Sequence, residues 1–175
     1  RRMQDLGAAV HLSQSALSRV VGRLEAEHNN VRAAFRRLCT EDDRGRCAEL
    51  AIALMPLWRS HGPISEGRAW FAFALANPGQ LENAVRSSAS ANAAWLAIFD
   101  ADLDAAEQLL EESLRSENTR DDPELPASWF DASAHIAADR GDYARARQFW
   151  ERTLQVKRAV GDRVGVARTL NNLGH

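Results

Sequence analysis

The sequence predicts an all-α chain in which antiparallel helix pairs stack as an α-solenoid, closed at the N-terminal end by a helical cap. Three observations carry that expectation. Alanine supplies 31 of the 175 residues, against 10 glycines and 5 prolines, a balance that favours packed helices over sheets or a disordered chain. The breakers gather in a few short clusters, and no segment between them alternates apolar and polar residues strictly enough for a strand. The sequence also matches itself at a lag of 40 residues.

Taken in order, Ser13 precedes a run from Gln14 to about Cys39 with Leu17, Val20, Val21, Leu24, Val31, Phe35 and Leu38 at three-to-four spacing. One stripe across that run predicts a continuous helix of about 26 residues, roughly 39 Å long at 1.5 Å per residue. Residues 40–45 read as a polar turn. A helix over Cys47–Ser60 follows, and Pro56 within it predicts a kink or an early end. His61-Gly62-Pro63 turns the chain into Ser65–Ala76, which Asn77-Pro78-Gly79 closes. Helices then fit Leu81–Phe99, Leu103–Arg115, Pro126–Arg140, Tyr143–Val160 and Val164 onward, with Ser116–Leu125 the most polar loop. About eight or nine helices are expected.

At the 40-residue lag Ala101-Asp102-Leu103 falls on Gly141-Asp142-Tyr143, Ala106 on Ala146, and Leu114 on Leu154. A further step back of 39 places Gly62 under Ala101 and Gly67 under Ala106, and Phe130 maps forward onto Leu170. Small residues recur where two helices must approach closely. A helix pair repeated at this period is the signature of a solenoid, whose units cannot bury their apolar faces alone. The chain divides into an N-terminal helical segment, 1–46, and helical repeats over 47–175, with units at about 47–80, 87–120 and 127–160 and a fourth beginning at 167.

Gly141-Asp142-Tyr143-Ala144-x-Ala146-x-x-Phe149, followed by Leu170-x-x-Leu173-Gly174, resembles tetratricopeptide (TPR) repeats of the lengthened, roughly 40-residue type. Residues 24–35 together with Gly62-x-x-Ser65-Glu66-Gly67-Arg68-x-Trp70 are similar to the helical-repeat region of large bacterial transcriptional regulators of the LuxR and antibiotic-regulator type, which carry a signal-transducing ATPase module. That resemblance implies a scaffold that senses a ligand or partner. No GxxxxGK[ST] occurs in the chain, so nucleotide binding is not carried over.

Residues 3–25 resemble a different family, the helix-turn-helix of MarR-type repressors, with a helix at Met3–Val10, a turn at His11-Leu12-Ser13 and a recognition helix from Gln14. The resemblance implies that Gln14, Ser15, Ser18, Arg19 and Arg23 face DNA, since the N-terminal residues of such a helix enter the major groove. The alternative is a helix pair that caps the solenoid: His28–Leu38 is strongly helical where that family has a strand. Charge adds little. The first 60 residues hold ten arginines against seven acids and the rest hold twelve basic against seventeen acidic residues, so any DNA contact belongs to residues 13–23.

The chemistry-bearing residue types are dispersed. Histidines 11, 28, 61, 135 and 175 form no ligand spacing, and no nucleophile elbow or phosphate loop occurs. A non-enzymatic protein with no cofactor and no metal is expected. Cys39 and Cys47 make no disulfide framework and read as reduced thiols in a cytoplasm. Apolar stretches such as Ala51–Trp58 are too short to cross a bilayer, and no secretory signal is evident. The chain starts at Arg1 and stops inside a helical pattern, as a piece of a larger protein would. Trp58, Trp70 and Trp150 are expected in the core. In stacked helix pairs the first helix of each pair lines the concave face, which places Glu49, Arg59, Trp95, Ser128, Asp131, His135, Asp139, Arg168, Asn171 and His175 in a polar groove with Trp95 as its exposed aromatic. Such a lining suits a protein, peptide or small polar effector, or another domain of the same regulator.

Overall fold

The structure is a computed structural model, and it describes Arg19, Gly22 and residues 27–60, 62–114 and 125–174. Among the described residues it is all-helical. Eight helices follow one another: α1 His28–Thr40, α2 Arg44–Ser60, α3 Ile64–Leu75, α4 Asn83–Phe99, α5 Leu103–Leu114, α6 Ala127–Asp139, α7 Tyr143–Ala159 and α8 Arg163–Leu173. A short 3₁₀ turn, Pro78–Gln80, separates α3 from α4. No described helix is long and apolar enough to cross a membrane.

The turns are built by one local device used four times. Asp42, Ala101, Gly141 and Gly161 each take a left-handed backbone, with φ of 51°, 57°, 83° and 73°. Each ends a helix, and the next residue is always aspartate. The Asp43, Asp102, Asp142 and Asp162 amides return to the carbonyls of Leu38, Ala97, Ala137 and Lys157 at 2.8–3.0 Å, the six-to-one bond of a Schellman stop. The same four carboxylates then accept from the backbone N–H three residues on, at 2.9–3.2 Å, and so cap the following helix. Ala101 alone carries an apolar β-carbon into this conformation. Ala101→Gly is therefore expected to raise stability by about 0.5–1 kcal/mol; an unchanged or lowered denaturation midpoint would argue against strain there.

Contacts run α2 on α3, α4 on α5 and α6 on α7 within pairs, while α2 packs on α4 and α4 on α6 between pairs; α8 packs on α7. Gly67, Ala106 and Ala146 hold the same position in the second helix of each pair, and all three are buried. A β-carbon at Gly67 would come within 2.6 Å of Leu96 Cδ1 and 2.7 Å of Trp58 Cδ2, so the small residue is required by close approach. Ala146→Leu should overpack the α6–α7 contact and cost about 1–3 kcal/mol. A variant that melts within about a degree of the parent would refute that register.

Four expectations are corrected. The expected continuous helix is interrupted at Glu27, a turn residue, and α1 begins at His28; of its earlier part only Arg19 and Gly22 are among the described residues. His28-Asn29-Asn30 has poor helix propensity because short polar side chains compete for backbone groups, and Asn30 Nδ2 bonds Glu27 Oε2 at 2.5 Å. Pro56 does not end its helix either, since α2 continues to Ser60. Leu54, Met55, Leu57 and Trp58 are all buried around it, and that packing offsets the hydrogen bond proline removes. The helix also starts at Arg44 rather than Cys47, and α4 at Asn83 rather than Leu81.

At the N-terminal end α1 packs on α2. Phe35 stacks on Trp70 at 3.8 Å, while Glu66 of α3 accepts from His28 at 2.9 Å and Arg32 at 2.5 Å. Burial pushes Glu66 up, but those two bonds outweigh it and hold its carboxyl below the ordinary value.

Candidate functional site

The residues foreseen as a groove come together in part. Arg59 stands in the last turn of α2 with its guanidinium carbon 5.4 Å from the Trp95 ring centroid and 5.7 Å from that of Phe99, both on α4. The Trp95 and His135 rings lie 4.7 Å apart, and His135 meets Trp150 of α7 edge-on at 5.6 Å. One turn earlier on α6, Asp131 Oδ2 lies 3.4 Å from Lys157 Nζ, whose ammonium also donates to Thr169 Oγ1 at 3.1 Å. Asn172 of α8 is 3.4 Å from His135 Nε2, and Arg168 lies one helical turn from Asn172 on the same side of α8. Four helices, α2, α4, α6 and α8, thus place cations, aromatic rings and carboxylates against one another.

Arg59 has exposed surface, yet protein atoms crowd it enough to lower its guanidinium from the ordinary value, helped by repulsion from Arg168 and opposed by Asp131. Asp131 contributes a further signal: its Oδ1 is buried and has no hydrogen-bond partner. A buried acceptor without a donor carries a desolvation cost of about 1–3 kcal/mol, and here it sits in the same cluster as Arg59.

Burial lowers the His135 imidazole, against the pull of Asp131 and Asp139 and with repulsion from Arg59 and Lys157. Because the folded value lies below the unfolded one, near 6.5, the neutral ring stabilises the fold above that pH, and the contribution is lost as pH falls. Between about pH 7.5 and 5.5 the parent should lose stability more steeply than His135→Gln. Parallel curves would refute the assignment. Glu66, also depressed, acts by the same sign in a lower window, below the usual carboxylate value of about 4.3.

The remaining predicted residues stand as follows. Trp95 is buried, at 7% exposure, beneath Arg59 and beside Phe99; it is the floor of the site and not its exposed aromatic. Phe99, 42% exposed, takes that part. Phe99 lies one helical turn beyond Trp95 on α4, so the i,i+4 spacing is the signal that points to it. Ser128 is half-buried a turn before Asp131, Asp139 is exposed at the end of α6, and Glu49 is exposed toward the other end of α2. On α8 the face is rotated by one residue: Asn172 reaches His135, while Asn171 is exposed. Lys157, the sole lysine, belongs to a second helix and so falls outside a lining counted from first helices, yet its long stem reaches back to α6. Trp58 and Trp70 are core residues and Trp150 is partly buried. His175, Gln14, Ser15, Ser18 and Arg23 lie outside the described residues; Arg19 is exposed and helical.

A concavity of about 170 Å³ lies between α5 and the α6–α7 pair, lined in part by Leu110, Trp129 and Phe149. On its rim Arg140 pairs with Asp104 at 2.8 Å and with Glu107, and the Trp129 indole donates to Ser113 Oγ at 3.1 Å. On the α2–α4–α6–α8 face, by contrast, four helices bring charged and aromatic side chains together, and that face is the stronger candidate. Elsewhere, Cys47 is buried and its thiol is pushed up to about 12 by burial and by Cys39, which makes it a poor nucleophile. Among the described residues no cluster of three histidine, cysteine or acidic side chains could hold a metal ion.

Compared with known proteins, the chain matches no family model, no curated protein and no solved structure.

Proposed function

We propose that the chain is a non-enzymatic helical-repeat scaffold, a TPR-like solenoid, that binds a protein, peptide or small effector against the α2–α4–α6–α8 face. In this reading it is the sensing part of a cytoplasmic bacterial transcriptional regulator, as its likeness to the repeat regions of such regulators implies. The observation that carries the binding reading is the convergence of Arg59, Asp131, His135 and Arg168 around the Trp95–Phe99 rings. Charged and aromatic groups gathered on one surface suit a partner better than they suit packing alone.

The test is selection of peptide binders on the intact chain, followed by transfer of the selected pool to Arg59→Glu and to Arg147→Glu. Arg147 is exposed on α7, beside Glu151. Binding should be lost in the first variant and kept in the second; equal binding to both would place the partner elsewhere. The rival reading, in which residues 13–23 grip DNA, is checked by titrating random duplex DNA at rising salt. Weak, salt-sensitive binding at most is expected, whereas sequence-selective binding abolished by Arg19→Ala would promote the DNA reading.

A further inference from the structure

We propose that the first turn of α4 binds a phosphate-type oxyanion, as the free ion or as the phosphoryl group of a small molecule. Its charge is met by the Arg86 guanidinium and its oxygens by the backbone N–H groups of Asn83, Ala84 and Val85. The site is separate from the face described above: Arg86 stands nine residues before Trp95 on α4, roughly 14 Å along the helix axis at 1.5 Å per residue.

Among the described residues Arg86 is the one charged side chain that the fold buries, at 6% exposure. Every other described arginine without an ion pair is exposed, where water solvates it. Arg86 has no carboxylate in reach among those residues; its single hydrogen bond runs from Nη2 to Asn83 Oδ1 at 2.9 Å. Nε is enclosed without an acceptor, whereas Nη1, likewise without a partner, is not enclosed. A long arginine stem ordinarily carries its head out to water. Here the head is turned back along its own helix, and a buried ionised group without a counter-charge is costly.

The bond to Asn83 fixes where the guanidinium points. Asn83 is the first residue of α4, so its side chain holds the guanidinium at the N-terminal turn. There the backbone adds a second source of positive potential. The Arg86 N–H already donates to the Glu82 carbonyl at 2.9 Å, and the Glu82 side chain makes no cap bond. The N–H groups of residues 83, 84 and 85 are left without an acceptor among the described residues. A cation in a first turn also opposes the helix dipole. An anion at this point answers the buried charge, the dipole and the three N–H groups together. Glu82 and Ala84 are exposed, so this end of the helix is open to solvent.

Charge selects the class. The helix end supplies roughly half a positive charge and the guanidinium one. A phosphoryl group near neutral pH carries about −1.5 to −2 and balances that sum, whereas a carboxylate leaves part of it unmet.

The test uses the whole chain, with ionic strength held by chloride at about 0.15 M. Inorganic phosphate, glycerol phosphate and acetate are titrated by isothermal calorimetry, and melting is followed in parallel. At least one of the phosphates should bind with a Kd of about 1 mM or tighter and raise the melting midpoint, while acetate does neither. Tighter binding of the ester would assign the phosphoryl group of a small molecule; equal or tighter binding of inorganic phosphate would assign the free ion. Arg86→Met keeps the stem and removes the charge. In chloride it should melt at or above the parent, and it should weaken phosphate binding by about tenfold or more. Asn83→Ala, which releases the guanidinium without removing it, should weaken binding by at least about threefold and decides the matter if Arg86→Met fails to fold. Arg145→Met, an exposed arginine of α7, should change nothing. No phosphate binding by the parent, or binding kept in both Arg86→Met and Asn83→Ala, overturns the site. Acetate binding as tightly as phosphate overturns the class.

Discussion

Trp58→Ala is expected to lower stability by about 3–5 kcal/mol, the range for removing a buried aromatic side chain. Trp58 is 3% exposed and stands at the centre of the first helix pair. It meets Trp70 and Phe71 edge-on at 5.6 and 6.0 Å, and the space over Gly67 is filled by its ring. No neighbour can collapse into so large a void, because Gly67 has no side chain and Leu96 is already buried in place. Trp58→Phe should be far milder: most of the ring volume remains, and the Trp58 Nε1, buried without an acceptor, is removed. Urea unfolding reads both variants as shifts of midpoint at constant slope. A Trp58→Ala midpoint equal to that of Trp58→Phe would mean that the pair closes without this ring.

Lys157→Met should cost about 3 kcal/mol, although methionine is nearly as large and more apolar. The Lys157 and Asp131 side chains are only 12% and 15% exposed. Removing the ammonium strands a carboxylate whose second oxygen already lacks a partner, and takes a donor from the fully buried Thr169. The double variant Asp131→Asn/Lys157→Met should recover most of the loss, because it deletes the uncompensated charge and keeps the shape. The comparison is with Arg147→Met, an exposed i,i+4 pair worth little. A single variant no worse than that control would show that Asp131 and Lys157 are not coupled.

The sequence by itself determined the helical class, the helix limits to within a few residues from α2 onward, and the register of the pairs. These are local properties: glycine and aspartate stop and cap a helix wherever they occur together, and Gly67, Ala106 and Ala146 recur because two backbones must nearly touch. Tertiary structure decided the rest. That Ala101 would adopt a glycine's conformation, and that α2 would run through Pro56, depended on packing strong enough to override local preference. Trp95, expected as the exposed aromatic, is buried because burial is set by what lies opposite, here Arg59 and His135, one from each neighbouring pair. Asn172 rather than Asn171 faces His135 because the angle at which α8 settles on α7 fixes its phase. Lys157 enters the site by reaching from a second helix to a first. A site assembled from four helices depends on distances between them, and a linear order of residues encodes those distances only through the packing of the whole.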